Sequence, residues 1–98
     1  MLDNALIIRA ATPNDAATVR RLAALTGHEP PHGATLLAER DGLAIAALPL
    51  TSGLVLADAA VPITDATRLL RHRRYQLLRQ GGEVGMVHTL LHRVAVAA

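Results

Sequence analysis

The chain has no cysteine, no lysine, no phenylalanine and no tryptophan, and its only aromatic residue is Tyr75. Without cysteine there can be no disulfide, no thiolate nucleophile and no cysteine-ligated metal. Without phenylalanine or tryptophan the core must be assembled from Leu, Ile, Val and many Ala, each of which buries less area than a large aromatic ring. The 98 residues give room for one domain spanning 1–98, and a fold of this size buries only roughly two-thirds of the surface its unfolded chain exposes. The core is therefore thin. All ten basic residues are arginine, and against eight acidic ones they leave a formal net charge of +2. So small an excess is a weak pointer to a nucleic-acid partner, and none is expected. Residues 1–8 carry Asp3 and no basic residue, so they lack the positive start of a secretory signal, and no apolar run reaches membrane-spanning length. The expectation is a soluble cytoplasmic protein with no membrane partner.

What is present alternates between strand and helix signals. Residues 6–12 read as a strand. Thr12 is a good N-cap, Pro13 suits the first helical position, and Asp15 stands three residues after the cap, where its carboxylate favours the positive helix end. The helix from Pro13 carries Ala16, Val19, Leu22, Ala23 and Thr26 on one side, turns Arg20 and Arg21 away, and stops at Gly27. After a polar connector over 27–33, residues 34–40 and 43–50 flank Asp41-Gly42, a dipeptide that accepts positive φ at both centres of a type I′ hairpin turn. Thr51-Ser52-Gly53 turns the chain into a fourth strand over 54–61. Thr64 caps a second long helix that runs to about Gln80, before Gly81-Gly82. Its inner line is Ala66, Leu70 and Leu77, flanked by Leu69, and Arg73 falls near that apolar side, where it must snorkel or pair with a carboxylate. The tail over 83–98 fits either a helix, through Val87, Leu90, Leu91 and Val94, or a strand, through its β-branched residues; the spacing leans towards helix.

Three clusters bear on chemistry. His28-Glu29-Pro30-Pro31-His32 matches the H-E-x-x-H zinc signature in letters, but that motif needs a helix, and two consecutive prolines disfavour one. His88 and His92 have i, i+4 spacing, yet two imidazoles are too few for a convincing metal site. Both sets read as exposed polar residues, and no metal ligand is assigned. The polar face of the second helix gathers Arg68, Arg71, His72, Tyr75 and Arg79, with Arg74 beside it, and could contact an anion or a partner protein. Ser52 lies in a turn without the context of a nucleophile, and no catalytic set is evident.

Two motifs carry a family resemblance. Ile-Arg-Ala-Ala-Thr-Pro-Asn-Asp-Ala at 8–16 resembles the opening strand and helix of the GNAT superfamily of acyl-CoA N-acyltransferases, and Leu-Leu-Ala-Glu-Arg-Asp-Gly-Leu-Ala-Ile-Ala-Ala at 36–47 is similar to that family's second and third strands. The resemblance covers about residues 6–80, and it implies an α+β fold of order β-α-β-β-β-α with a mainly antiparallel sheet, the N-terminal half of such a domain. It also implies that a glycine-rich loop should follow the fourth strand to cradle the coenzyme A pyrophosphate. Here Val61-Pro62 runs directly into Ile-Thr-Asp-Ala-Thr-Arg, with no glycine until Gly81.

The expected function is accordingly that of a GNAT-like binding or protein-interaction module without a cofactor. The alternative is an acyl-CoA-dependent N-acyltransferase, using acetyl-CoA, whose site is completed by another chain or a second copy. Self-association is expected, because a fourth strand over 54–61 would leave a sheet edge that the tail or another subunit must cover.

Overall fold

The computed structural model describes residues 5–80. Their order is β1 (Leu6–Ala10), a 3-10 turn (Pro13–Asp15), α1 (Ala16–Thr26), β2 (Thr35–Arg40), β3 (Leu43–Pro49), β4 (Leu56–Ala57) and α2 (Thr64–Gln80). The four strands form one sheet in the order β1-β2-β3-β4, and every neighbouring pair is antiparallel. The architecture is thus α+β, with the expected succession of elements; the tail over 83–98, with His88 and His92, lies outside the described residues.

Each local feature has a chemical cause. At the β2–β3 turn Asp41 has φ of 55° and Gly42 has φ of 79°, the two positive values that a type I′ hairpin demands. α1 ends on Gly27, whose φ of 79° is left-handed and whose N–H donates to Ala23 and Ala24 carbonyls, a glycine stop of the usual kind. The register of β2 on β3 slips between Ala38 and Glu39, so that Ala38 faces Ala46, Glu39 faces Ala44 and Ile45 has no opposite number. This β-bulge turns Ile45 and Ala46 towards the same core cluster, whereas a regular strand would point them to opposite faces.

The sheet is covered on both sides. One cluster joins Leu36, Ala38, Ile45, Leu48 and Leu50 to Ala66 and Leu70 of α2. The other joins Leu37, Ala47 and Leu56 to Val19, Leu22 and Ala23 of α1. Residues 34–38 and 45–50 are consequently buried without alternation, as strands between two helical layers must be. The largest fully buried side chains are Leu22, Leu37, Leu48, Leu50 and Leu70, each contributing about 1.5–3 kcal/mol through burial. Alanines 38, 46, 47 and 66, all with no exposed surface, fill the space between these leucines, which is how a core without large aromatics is closed.

Three expectations need correction. The first helix does not begin as α-helix at Pro13: a 3-10 turn precedes it, and that turn's tighter winding shifts the phase of the helix face. The inner line therefore starts at Val19, and Ala16 is exposed. The fourth strand, expected over 54–61, pairs only at Leu56 and Ala57. Its flanks are taken by turns: Ser52 Oγ accepts from Leu54 N–H at 3.2 Å, and Asp58 Oδ1 accepts from Ala60 N–H at 2.9 Å. Such side-chain turns compete directly with a ladder. The long sheet edge inferred on that side is accordingly absent, and Thr26 of α1 caps what remains. Its Oγ1 accepts from Ala57 N–H at 2.9 Å and stands 3.2 Å from the Ala57 carbonyl, while its own hydrogen is directed to Leu22 O at 2.7 Å.

The turn before β4 is locked from the other side of the sheet. Arg74 Nε donates to the Leu50 carbonyl at 2.8 Å, and the guanidinium lies against Gly53, where an added Cβ would stand 3.1 Å from its Cζ. Gly53 also has φ of 69°, a conformation that alanine adopts at a cost. Gly53→Ala is expected to lower stability by about 1 kcal/mol or somewhat more, read as a shift in the urea midpoint; an unchanged midpoint would show that Arg74 yields without cost.

Candidate functional site

α2 presents the charged face singled out from the sequence. The helix carries Arg68, Arg71, Arg73, Arg74 and Arg79 against Asp65 alone, so this single element holds more positive charge than the chain's net total. Its apolar line seats Ala66 and Leu70 in the sheet, and helical geometry then sends residues 68, 71, 72, 75 and 79 outward. All five are exposed.

The structure sorts these residues by what they touch. Arg79 Nη1 donates to Tyr75 Oη at 3.1 Å, and its guanidinium sits 5.9 Å from the Tyr75 ring centroid, within cation–π range. Tyr75 and Arg79 thus form a closed pair one turn apart, with one ring face already covered. Arg74, expected beside the basic face, belongs to the fold: it is half-buried and spent on Leu50 and Gly53. Arg73 is exposed and pairs with no carboxylate among the described residues; its Nη1 donates to Gln76 Oε1 at 3.4 Å. Arg68 and Arg71 remain, one turn apart, and with Ile63, Thr64 and Thr67 they line a shallow open hollow of about 500 Å³. His72 stands beside Arg71 on the same exposed face.

The start of this helix has its own electrostatics. Arg40 of β2 donates from Nη2 to Asp65 Oδ2 at 2.6 Å, and Asp65 Oδ1 accepts from Ala66 N–H at 2.8 Å. The Arg40 guanidinium, and then the Ala66 amide, hold the Asp65 carboxyl below its ordinary range. A negative group therefore already occupies the positive end of α2, and it is tied to the sheet.

A second polar cluster escaped the sequence reading. Arg9 of β1 grips Asp15 with both terminal nitrogens, Nη1 to Oδ2 and Nη2 to Oδ1, each at 2.8 Å, and Nη2 also reaches Glu39 Oε2 at 2.8 Å. Asp15 further accepts from Thr12 N–H at 2.7 Å and Thr12 Oγ1 at 3.1 Å. The Arg9 guanidinium holds the Asp15 carboxyl far below the usual carboxylate range, and Asp15 in turn raises Arg9. The signal was partly visible, since Asp15 was placed at the helix start, but its partner in β1 needed the strand register. This cluster fastens β1, β2 and the start of the first helix together. With every oxygen of Asp15 engaged, it holds structure and leaves no free base.

The His28-Glu29-Pro30-Pro31-His32 segment is largely exposed loop without helix. Among the described residues no three His, Asp or Glu side chains converge as metal ligands, and no helix is long and apolar enough to cross a membrane. An open cleft of about 500 Å³ lies between this connector and the start of α1, lined by Thr12, Val19, Arg20, Pro31 and His32 among others. The fold and these features define a small α+β protein with an antiparallel four-stranded sheet between two helices. Comparison with protein-family models, curated proteins and solved structures finds no match to this chain.

Proposed function

We propose that this chain is a binding or protein-interaction module, GNAT-like in the succession of its elements, that carries no acyl-transfer chemistry of its own and docks an acidic protein surface on the Arg68, Arg71 and His72 side of α2. The reading rests chiefly on the junction between β4 and α2. A coenzyme A pyrophosphate needs backbone N–H groups made approachable by glycine, at a helix start free of competing negative charge. Here residues 54–80 contain no glycine, and Asp65 lies in the first turn, bonded to Arg40 and to the Ala66 amide. A phosphate approaching that end would meet a carboxylate.

The same helix offers a partner something different. Arg68 and Arg71 are exposed and have no hydrogen-bond or ion-pair partner among the described residues, whereas Arg74 and Arg79 are committed within the chain. Guanidinium groups held on a rigid helix suit carboxylates, which they engage bidentately. Exposed pairs of this kind add little affinity singly and act mainly through on-rate and specificity, so the contact should weaken with salt.

Titration calorimetry with acetyl-CoA at about 150 mM salt, where charges are screened within about 8 Å, tests the reading. The expected result is no saturable binding in the low micromolar range. A saturable isotherm that Arg68→Ala and Arg71→Ala leave intact would overturn it, and would favour an acyl-CoA-dependent N-acyltransferase whose site is completed by another chain or a second copy.

A further inference from the structure

The two outer edges of the sheet are finished differently. At β4 the edge is two residues long, and its outward N–H, that of Ala57, is taken by Thr26 Oγ1. At β1 the situation is reversed. Ala11 N–H donates to the Thr35 carbonyl at 2.9 Å, which fixes the odd-numbered residues of this strand as those directed towards β2. Successive residues of an antiparallel ladder direct their backbone groups to opposite sides. Leu6, Ile8 and Ala10 therefore turn theirs outward. The Ala10 carbonyl accepts from Arg9 Nη1 at 3.1 Å, while the backbone groups of Leu6 and Ile8 find no partner among the described residues.

The strand is lightly protected for such an edge: its one charge, Arg9, is already paired with Asp15 and Glu39. Over Leu6–Ala10 there is no lysine, no proline and no bulge in the pairing with β2, although these are the devices that blunt exposed edges. Ile7 is 52% exposed on the same strand, on the opposite side of the pleat from Leu6 and Ile8, which pack towards α2.

We propose that β1 is a homodimerisation strand: it pairs antiparallel with β1 of a second copy of this chain, about a two-fold axis through Ile8. That register alone pairs the whole of Leu6–Ala10 with itself. Ile8 meets Ile8 with both N–H···O bonds exchanged, and Leu6 meets Ala10. Ile7 then lies across from Arg9 of the other copy, so its apolar surface is covered by the arginine stem. Arg9 is already neutralised by Asp15 and Glu39, and no like charges face each other. An axis at Ala10 would set Ile8 against Thr12, beyond the end of β1, and an axis at Leu6 would forgo the Ile8 pair. The surface is separate from the α2 face, so the two readings stand or fall independently.

Sedimentation equilibrium on the full 98-residue chain over a micromolar concentration series, with amide exchange on the same samples, tests this. The native chain should be dimeric, and the Ile8 amide should gain protection as concentration rises. Ile8→Pro removes the outward N–H that the pairing exchanges and should raise the dissociation constant at least about tenfold, while Ile7→Gln, which leaves every backbone donor in place, should raise it by less than about threefold. Far-ultraviolet circular dichroism should be the same for all three chains. A native chain that stays monomeric at about 100 μM, or a dimer indifferent to Ile8→Pro, overturns the proposal. So does an Ile8 amide already protected in the monomer, which would mean that another segment of the same chain covers the edge.

Discussion

Leu48→Ala is expected to lower the free energy of unfolding by about 2–5 kcal/mol, the cost of removing buried methylenes and leaving a hole. Leu48 has no exposed surface and stands in the cluster that joins β2 and β3 to α2, beside Leu36, Leu50 and Leu70. The spaces around it are held by Ala38, Ala46 and Ala66. Alanines have no rotamers with which to swing into a cavity, so the site should collapse poorly and the cost should fall in the upper part of that range. Against a total of about 5–15 kcal/mol for natural domains, with a thin core setting this chain near the lower end, the variant should be largely unfolded in moderate urea. Leu43→Ala, at a position 61% exposed on the same strand, should change the midpoint by less than about 0.5 kcal/mol. Equal losses at the two positions would refute the described packing of β3.

Asp15→Ala should cost about 1–3 kcal/mol at neutral pH and should also remove most of the acid sensitivity of the fold. The substitution takes away the carboxylate that Arg9 grips with two bonds and that Thr12 caps, leaving a partly buried guanidinium with Glu39 as its remaining carboxylate. Losing charge-assisted bonds of this kind carries a penalty of that order. The sign of the pH effect follows from the direction of the shift. Arg9 holds the Asp15 carboxyl of the folded protein below its unfolded value, so on acidification the unfolded chain takes up the proton first. The contribution is complete above about pH 5, declines as pH falls through about 4, and continues to be lost below that. Urea unfolding at neutral pH and at several points below about pH 4 should show a steep fall for the native chain and a shallower one for Asp15→Ala. Parallel curves would mean that another carboxylate governs acid unfolding. Arg9, raised still further above its already high value, adds no dependence in the working range.

These positions also show where sequence reasoning succeeds. The β2–β3 hairpin was legible because Asp41-Gly42 states its backbone geometry chemically, and α2 was legible from its apolar period, although the helix already includes Thr64, which was expected to cap it. β4 was not. Leu54 to Val61 has the composition of a strand, but pairing is decided by competition, and Ser52 and Asp58 take the neighbouring amides for their own turns. The basic face was legible as a face, yet the role of Arg74 was not, because its bond to Leu50 spans two elements distant in sequence. Arg9, Asp15 and Glu39 were hidden for the same reason: one-dimensional periodicity places Arg9 on a side of β1 but cannot say that Glu39 of β2 shares it until the register sets Arg9 opposite Leu37 and Ile7 opposite Glu39.

The Thr26 hydroxyl on Ala57 has a consequence for how many copies can assemble. A sheet with two receptive sides can recruit a strand at each and grow without limit into a filament, because every addition presents a fresh side to the next copy. α1 lays its last turn against β4 and fills that strand's outward amide from within the chain, so among the described residues only the β1 side leaves outward backbone groups open to a further strand. Any assembly through this sheet then uses up its receptive sides in pairs and terminates at two.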